Sequence, residues 1–115
     1  MKPNTFISYS RQCIGFVDDL FHKLEKLGFS NIWLDYLSLV PGRPWNGQIE
    51  KGLEQSDLLL LIVSPESISS RSVEIEWRHF LDKKKRIILL IFQAVTLPRE
   101  LEQLEWVDFR GAFFF

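Results

Sequence analysis

The stretch Leu58-Leu59-Leu60-Leu61-Ile62-Val63 decides the fold of this chain, because six consecutive apolar residues leave no polar side chain to face water. A strand that is apolar on both faces is typical of a parallel sheet covered by helices on both sides. Ser64 and Pro65 follow and stop the strand, and a polar segment from Glu66 to Glu76 then leads into a helix. Because α/β proteins bind ligands at the carboxyl ends of their strands, this segment lies where a site is expected.

Apolar residues at three- and four-residue spacing, or in short continuous runs, predict the other elements on both sides of this strand. Before it, the pattern predicts a strand at Asn4–Ser8, a helix at Cys13–Leu27 that Gly28 ends, a strand at Asn31–Asp35, and a helix from just after Pro44 to Gln55. After it, the pattern predicts a helix at Ser69–Lys84, a buried strand at Arg86–Val95, a short irregular or helical piece from Leu97 to Leu104, and an edge strand at Glu105–Phe109. This alternation predicts one α/β domain with a flavodoxin-like, doubly wound, five-stranded parallel sheet in the order 2-1-3-4-5 and helices on both faces.

Length and charge exclude several classes of protein. The chain has 115 residues, of which 46% are hydrophobic, and this supports one core rather than two. The net charge of -1 argues against a nucleic-acid partner, and we interpret the basic run Lys83–Arg86 as the carboxyl end of a helix. No signal peptide is recognisable, and no apolar segment approaches the roughly 18 residues that span a bilayer. We therefore expect a cytoplasmic protein without a membrane partner.

Cysteine and histidine are too few for a metal centre. Cys13, His22 and His79 have no metal-ligand spacing, so we predict no metal site, and the single cysteine fits a reducing compartment. The chain closes on Phe113–Phe115, and three phenylalanines are unfavourable in water. We therefore expect residues 1–115 to be a domain excised from a longer protein, with its last helix missing.

Five short motifs resemble those of the Toll/interleukin-1 receptor (TIR) domain family, and they occur in the same order at similar spacing over almost the whole chain. They are Phe6-Ile7-Ser8-Tyr9-Ser10, Trp33-Leu34-Asp35, Pro41-Gly42-Arg43-Pro44-Trp45, Ser56-Asp57 with Ser64-Pro65, and Ser70 with Glu76. The likeness is greatest to the prokaryotic branch of the family. It implies the sheet order given above.

The loop from Tyr36 to Pro44 corresponds to the BB loop, through which TIR domains self-associate. Two prolines and a glycine exclude a regular element there, and long loops of this kind are more often functional than accidental, although an apolar loop can also pack on its own fold. The resemblance assigns self-association to Leu37, Leu39, Val40, Pro41, Gly42 and Arg43.

The resemblance implies one of two functions. The first is cleavage of the nicotinamide-ribose bond of NAD+, giving ADP-ribose or a cyclic isomer in innate immune or antiphage signalling. NAD+ is then a substrate rather than a cofactor, and enzymatic members complete their pocket when protomers assemble. The second is a non-catalytic adaptor that binds other TIR domains.

In NAD-cleaving members, one glutamate on the helix after strand three is catalytic. It lies three residues after a position that Val73 occupies here, so the resemblance assigns the catalytic role to Glu76. Many bacterial relatives carry a tryptophan four residues before this glutamate, and Ser72 in its place is a departure.

The residue pattern distinguishes Glu76 from its neighbour Glu74. The two lie about 200° apart around a helix, so only one can face a substrate. Glu76 lies beside the apolar stripe of Val73, Trp77 and Phe80, where its carboxylate could stabilise positive charge on the anomeric carbon as nicotinamide leaves. The alternative is a first-turn glutamate that the helix dipole stabilises.

Further candidates for substrate binding are Tyr9, Ser10, Arg11, Trp33, Asp35, Trp45 and Ser70. Arg11 could hold a diphosphate, Asp35 could accept from a ribose hydroxyl, and either tryptophan could stack on a base. Solvation, turn formation, core packing and capping explain the same residues without a ligand.

Two other classes fit less well. A phospho-acceptor receiver domain would need an aspartate where Ser64 stands. A nucleoside deoxyribosyltransferase would also use a glutamate, but on free nucleosides.

Overall fold

The apolar stretch Leu58–Val63 is the central strand of a five-stranded parallel sheet. A computed structural model describes residues 2–34 and 45–110 of the chain. The strands are β1 Thr5–Ser8, β2 Ile32–Trp33, β3 Leu58–Val63, β4 Arg86–Ile91 and β5 Glu105–Asp108. They lie in the order β2-β1-β3-β4-β5, and all pairs are parallel. The predicted topology is therefore confirmed.

Helices cover both faces of the sheet, as predicted. They are α1 Ile14–Lys26, α2 Trp45–Gln55, α3 Pro65–Ser69 and α4 Arg71–Asp82, with 3-10 turns at Arg11–Cys13 and Arg99–Leu101. Helix α1 packs on one face through Phe16 and Val17, whereas α2 and α4 pack on the other face through Leu53, Trp77 and Phe80. Within the described ranges, none of these helices has the length and apolar character needed to cross a bilayer.

Alternation along the strands explains why the core has two halves. Phe6 and Leu59 are paired in register and face α2 and α4, whereas Ile7 and Leu60 are paired and face α1. All six residues of β3 are buried, which confirms that this strand is covered on both sides.

The largest differences from the predicted boundaries concern three elements. The predicted helix Ser69–Lys84 is observed as α4, Arg71–Asp82, and the separate short helix α3 precedes it, because Pro65 suits the first helical position and Ser70 has an extended backbone at ψ 124°. Strand β4 ends at Ile91 rather than Val95, since the backbone N-H groups of Phe92 and Gln93 both donate to the carbonyl of Val63.

The predicted strand Asn31–Asp35 is observed only as Ile32–Trp33. Asp35 lies outside the described residues, and so does the BB loop. The prediction about Phe113–Phe115 also falls outside the described part of the chain.

Two glycines position the elements around β2. Gly28 has a φ of +99° and ends α1, as predicted, where the N-H of Phe29 donates to the carbonyl of Leu24. Gly52 lets α2 approach β2, because a Cβ atom there would lie 2.5 Å from the ring of Trp33.

Candidate functional site

The carboxyl ends of β1 and β3 lie side by side at the centre of the sheet. Ser8 ends β1 and is paired with Leu61, so β3 continues two residues further, to Val63. After β1 the chain passes to α1 on one face, and after β3 it passes to α3 and α4 on the other. This is the point in a doubly wound sheet at which ligands bind.

A closed turn fixes the direction in which the chain leaves β3. The Oγ of Ser64 accepts a hydrogen bond from the backbone N-H of Ser67 at 3.1 Å, and the Oγ of Ser67 accepts from the N-H of Ser64 at 3.0 Å. The Ser67 hydroxyl also donates to the carbonyl of Ile62 at 2.6 Å. Both serines are fully buried, so this capping box anchors α3 to the end of the strand. Ser70 then begins α4, and its Oγ accepts from the N-H of Val73 at 3.3 Å.

Glu74 and Glu76 of α4 face opposite ways, as the sequence predicted. Glu76 is only 3% exposed and faces the sheet, where it accepts a hydrogen bond from the hydroxyl of Ser8. The side chain of Glu74 is 42% exposed and accepts from Nε of Arg78 at 2.7 Å. Because Glu76 lies in the second turn and is buried, the alternative of a first-turn glutamate stabilised by the helix dipole is wrong. Glu74 is the acidic residue of the first turn.

The Ser8–Glu76 pair is an unusual component of a protein core. Ser8 is 1% exposed and lies two residues after the fully buried Phe6, on the same face of β1. Removing a carboxylate from water costs several kcal/mol unless hydrogen bonds or charges compensate it. The hydroxyl of Ser8 supplies one such hydrogen bond, so the sheet holds a carboxylate at the edge where ligands of this fold bind.

Comparison with known proteins identifies the family. The model of the TIR domain matches residues 5–114. This chain belongs to the TIR domain family. The TIR domain of the Toll-related receptor TRR-2 from Hydra magnipapillata has a similar structure, with a TM-score of 0.81 and 18% sequence identity over 93% of this chain and 84% of that chain. At this identity the similarity concerns the fold alone. The comparison with curated proteins found no match. The closer likeness to prokaryotic members stays a prediction.

The residues that follow β1 in this TIR domain have different environments. Tyr9 is 8% exposed and packs in the core beneath α1, and Ser10 caps the 3-10 turn by accepting from the N-H of Gln12 at 3.4 Å. Arg11 is exposed at the start of that turn. Of the three, Arg11 therefore presents its side chain to solvent at this edge.

Cys13, which follows β1, lies beside Ser64, which follows β3. Its thiol is buried. Burial raises the pKa of the Cys13 thiol, the neighbouring Ser64 opposes this increase, and the negative charge of Glu66 adds to it. The thiol is therefore protonated at neutral pH, and this residue is a packing group rather than a nucleophile.

The other predicted binding residues serve structural contacts or lie outside the described part. Ser70 is the amino-terminal cap of α4, and its hydroxyl also forms a hydrogen bond with the hydroxyl of Ser72 at 3.1 Å. Trp33 is half-buried, stacks on Phe6 with 6.2 Å between ring centroids and packs against Gly52, which explains its motif position by packing. The backbone of Trp45 begins α2, but its ring lies outside the described residues, as does Asp35.

A cavity of about 550 Å³ lies at the opposite edge of the sheet of this TIR domain. Its lining includes Asn4, Asn31 and Ser56, which precede strands, and Trp33, which ends β2. Among the described residues that line it, none is charged. The cavity therefore does not coincide with the edge that holds Glu76.

The contact between Ser8 and Glu76 was not predicted from the sequence, and the structure shows it as a hydrogen bond from the Ser8 hydroxyl. The alternation of β1 places Ser8 on the same face as Phe6, but the strand alone does not specify which helices cover that face.

Proposed function

We propose that this TIR domain cleaves the bond between nicotinamide and ribose in NAD+, with Glu76 as the catalytic carboxylate. The observation that supports the proposal is the buried Glu76 carboxylate, which Ser8 holds at the carboxyl edge of the central strands. It occupies the position that the family resemblance assigns to the catalytic glutamate. The cleavage of NAD+ would serve signalling in innate immune or antiphage defence.

The chemistry requires little beyond a positioned negative charge. Nicotinamide is bound to ribose as a cationic pyridinium and leaves as a neutral molecule, so no proton has to be supplied to it. Positive charge then develops on the anomeric carbon, and a carboxylate stabilises that charge strongly in a site of low dielectric constant. Attack by water gives ADP-ribose, and attack by another group of the same molecule gives a cyclic isomer. Arg11, exposed beside this edge, is a candidate to bind the diphosphate.

The burial of Glu76 sets a condition on this reaction. With 3% of the residue exposed, the carboxylate can reach a substrate only after neighbouring groups move. We propose that self-association of TIR domains, through the BB loop, provides this rearrangement. The reaction would then depend on protein concentration.

The same burial favours a second candidate function. In a non-catalytic adaptor, Glu76 would be a buried structural residue and would never meet a ligand. The BB loop residues Leu37, Leu39 and Val40 would then bind another TIR domain without chemistry.

Nicotinamide release from NAD+, measured over a wide range of protein concentration, separates the two functions. We expect release to rise more than linearly with concentration and to fall about 100- to 1,000-fold in Glu76→Gln. Glu74→Gln is the matched control, because it changes a carboxylate two residues away that faces Arg78, and it should retain the activity. Absence of release from wild-type protein that sedimentation shows to be assembled would contradict the enzyme and leave the adaptor.

A further inference from the structure

Ser8 is a polar residue of the core that contacts the carboxylate of the proposed reaction. Ser8 ends β1, an interior strand of the sheet that pairs with β2 on one side and β3 on the other. Its hydroxyl donates to Oε1 of Glu76, which is 68 residues away in the sequence. Both residues are buried, so neither side chain is a mobile surface group.

We propose that Ser8 is a positioning residue for NAD+ cleavage, whose hydroxyl holds the carboxylate of Glu76 in the orientation that the reaction requires. This inference rests on the proposed function. It assigns Ser8 to the catalytic glutamate rather than to the sugar or phosphate of the substrate.

The physical reason is the freedom of a glutamate side chain. Three side-chain torsions separate the carboxylate from the backbone of α4, and the terminal torsion is broad. The stabilisation of a developing charge falls when the carboxylate is misplaced by as little as 1 Å. A hydrogen bond from a strand in the middle of a sheet supplies a rigid second attachment.

Other buried serines show what a purely structural role is. Ser56 donates to the carbonyl of Gly52 at 2.7 Å, and Ser64 and Ser67 bond each other's backbone N-H groups. These hydroxyls satisfy backbone groups of the turn or helix end in which they lie. Ser8 instead donates to an acidic side chain on a different element, and an apolar pair of similar size would fill that space at no lower stability.

The test compares Ser8→Ala with Glu76→Gln and with the double variant, using steady-state nicotinamide release at assembled concentrations. We expect Ser8→Ala to lower kcat about 10- to 100-fold and to change KM less than about twofold, because the substrate is still bound while the carboxylate is misplaced. On the Glu76→Gln background, Ser8→Ala should lower the residual rate no further. Ser8→Thr keeps the hydroxyl and should recover most of kcat.

Ser56→Ala is the matched control, since it removes a buried serine hydroxyl at the opposite edge of the sheet. It should lower the unfolding temperature by a few degrees, as Ser8→Ala should, and leave kcat unchanged. If Ser8→Ala fails to fold, Ser8→Cys takes its place, because a thiol has nearly the same size and is a weak donor. Its kcat should lie below those of the wild type and of Ser8→Thr.

Several results would overturn the inference. The first is an unchanged kcat in Ser8→Ala. The second is a raised kcat in Ser8→Ala, which would mean that the hydrogen bond restrains Glu76. The third is a loss of rate on the Glu76→Gln background that equals the loss which Ser8→Ala causes in the wild type. Activity that disappears in Glu76→Gln while Ser8→Ala matches wild type would overturn the inference and leave the proposed function intact. No release from the assembled wild type would overturn both.

Discussion

Around α2, at the amino-terminal edge of the sheet, the side chains of Asn4, Ser56 and Lys85 bond the backbone, whereas at the carboxyl-terminal edge Ser8 bonds the side chain of Glu76. These amino-terminal contacts end on carbonyl oxygens of α2 or of the residue after it. They are Ser56 Oγ to Gly52 at 2.7 Å, Asn4 Nδ2 to Gln55 at 3.0 Å, and Lys85 Nζ to Leu53, Glu54 and Ser56 at 3.0, 3.1 and 2.9 Å.

The difference shows which polar groups the fold requires. The last carbonyls of a helix have no partner within the helix and must be satisfied in any protein that contains one. A glutamate facing the sheet meets no such need, and burying it costs free energy. We therefore expect changes at the amino-terminal edge to alter stability without altering NAD+ cleavage, and changes at the Ser8–Glu76 pair to alter cleavage most.

Lys85→Met gives the largest effect at the amino-terminal edge. Methionine retains the apolar stem but loses the ammonium group, which bonds three carbonyls and lies 5.3 Å from the ring centroid of Phe80. We expect the free energy of unfolding to fall by about 2 kcal/mol, since hydrogen bonds from a charged donor are worth roughly 1.5–3 kcal/mol. Denaturation by urea measures the change.

Lys83→Met is the control for this substitution, because Lys83 is an exposed lysine of the same run. It should change stability by less than about 0.5 kcal/mol. The rate of nicotinamide release per folded molecule should match wild type in both variants. A lower rate in Lys85→Met would break the distinction between the two edges.

Lys84→Gly is expected to stabilise the same edge. Lys84 has a φ of +56° and ends α4 with the hydrogen bonds that Gly28 makes at the end of α1, since the N-H of Lys85 donates to the carbonyl of Phe80. Glycine adopts this conformation without the steric cost of a Cβ atom, although it is more flexible when unfolded. We expect a gain of about 0.5–1 kcal/mol by urea denaturation. A loss of stability would show that the lysine side chain contributes more than the backbone strain costs.

The strands and the turn at Gly28 were predictable because their determinants are local. The apolar run of β3 and the helical periodicity of α1 each lie within one element, and glycine after the last turn is the common helix end. The basic run Lys83–Arg86 was placed correctly in part, because Lys83 and Lys84 follow the end of α4, whereas Arg86 begins β4. The turn at Lys84 has the same geometry as the turn at Gly28, but lysine takes the place of the glycine that usually indicates such a helix end.

The rest depended on contacts between distant parts of the chain. The break at Ser70 follows from competition between one continuous helix and the two separately capped helices α3 and α4. The capping box of Ser64 and Ser67 favours the two separate helices. The packing of Trp33 on Phe6 depends on Gly52, which lies on another element, and a role of its ring in stacking on a substrate stays a prediction. The pairing of Ser8 with Glu76 depends on which helix covers β1, which the alternation of one strand does not specify.

The pH dependence of stability gives the smallest and last test of the comparison. Burial lowers the pKa of His79, and the positive charges of Lys85 and Lys83 lower it further, while Glu54 and Asp82 oppose this shift. Its Nε2 atom is buried and has no hydrogen-bond partner among the described residues. The folded state therefore favours the neutral ring, whereas in the unfolded chain the ring binds a proton below about pH 6.5.

The sign follows from proton binding. Because the unfolded state binds this proton more readily, the contribution of His79 to stability is complete above about pH 6.5 and is lost as the pH falls through its lower folded-state pKa. We expect His79→Gln to lose less stability than wild type between pH 7.5 and pH 5.5, measured by urea denaturation at both values. Parallel losses would contradict the assignment. His79 lies towards the amino-terminal edge of the sheet, so its substitution should leave nicotinamide release per folded molecule unchanged at either pH. A change in that rate would show that the two edges are coupled.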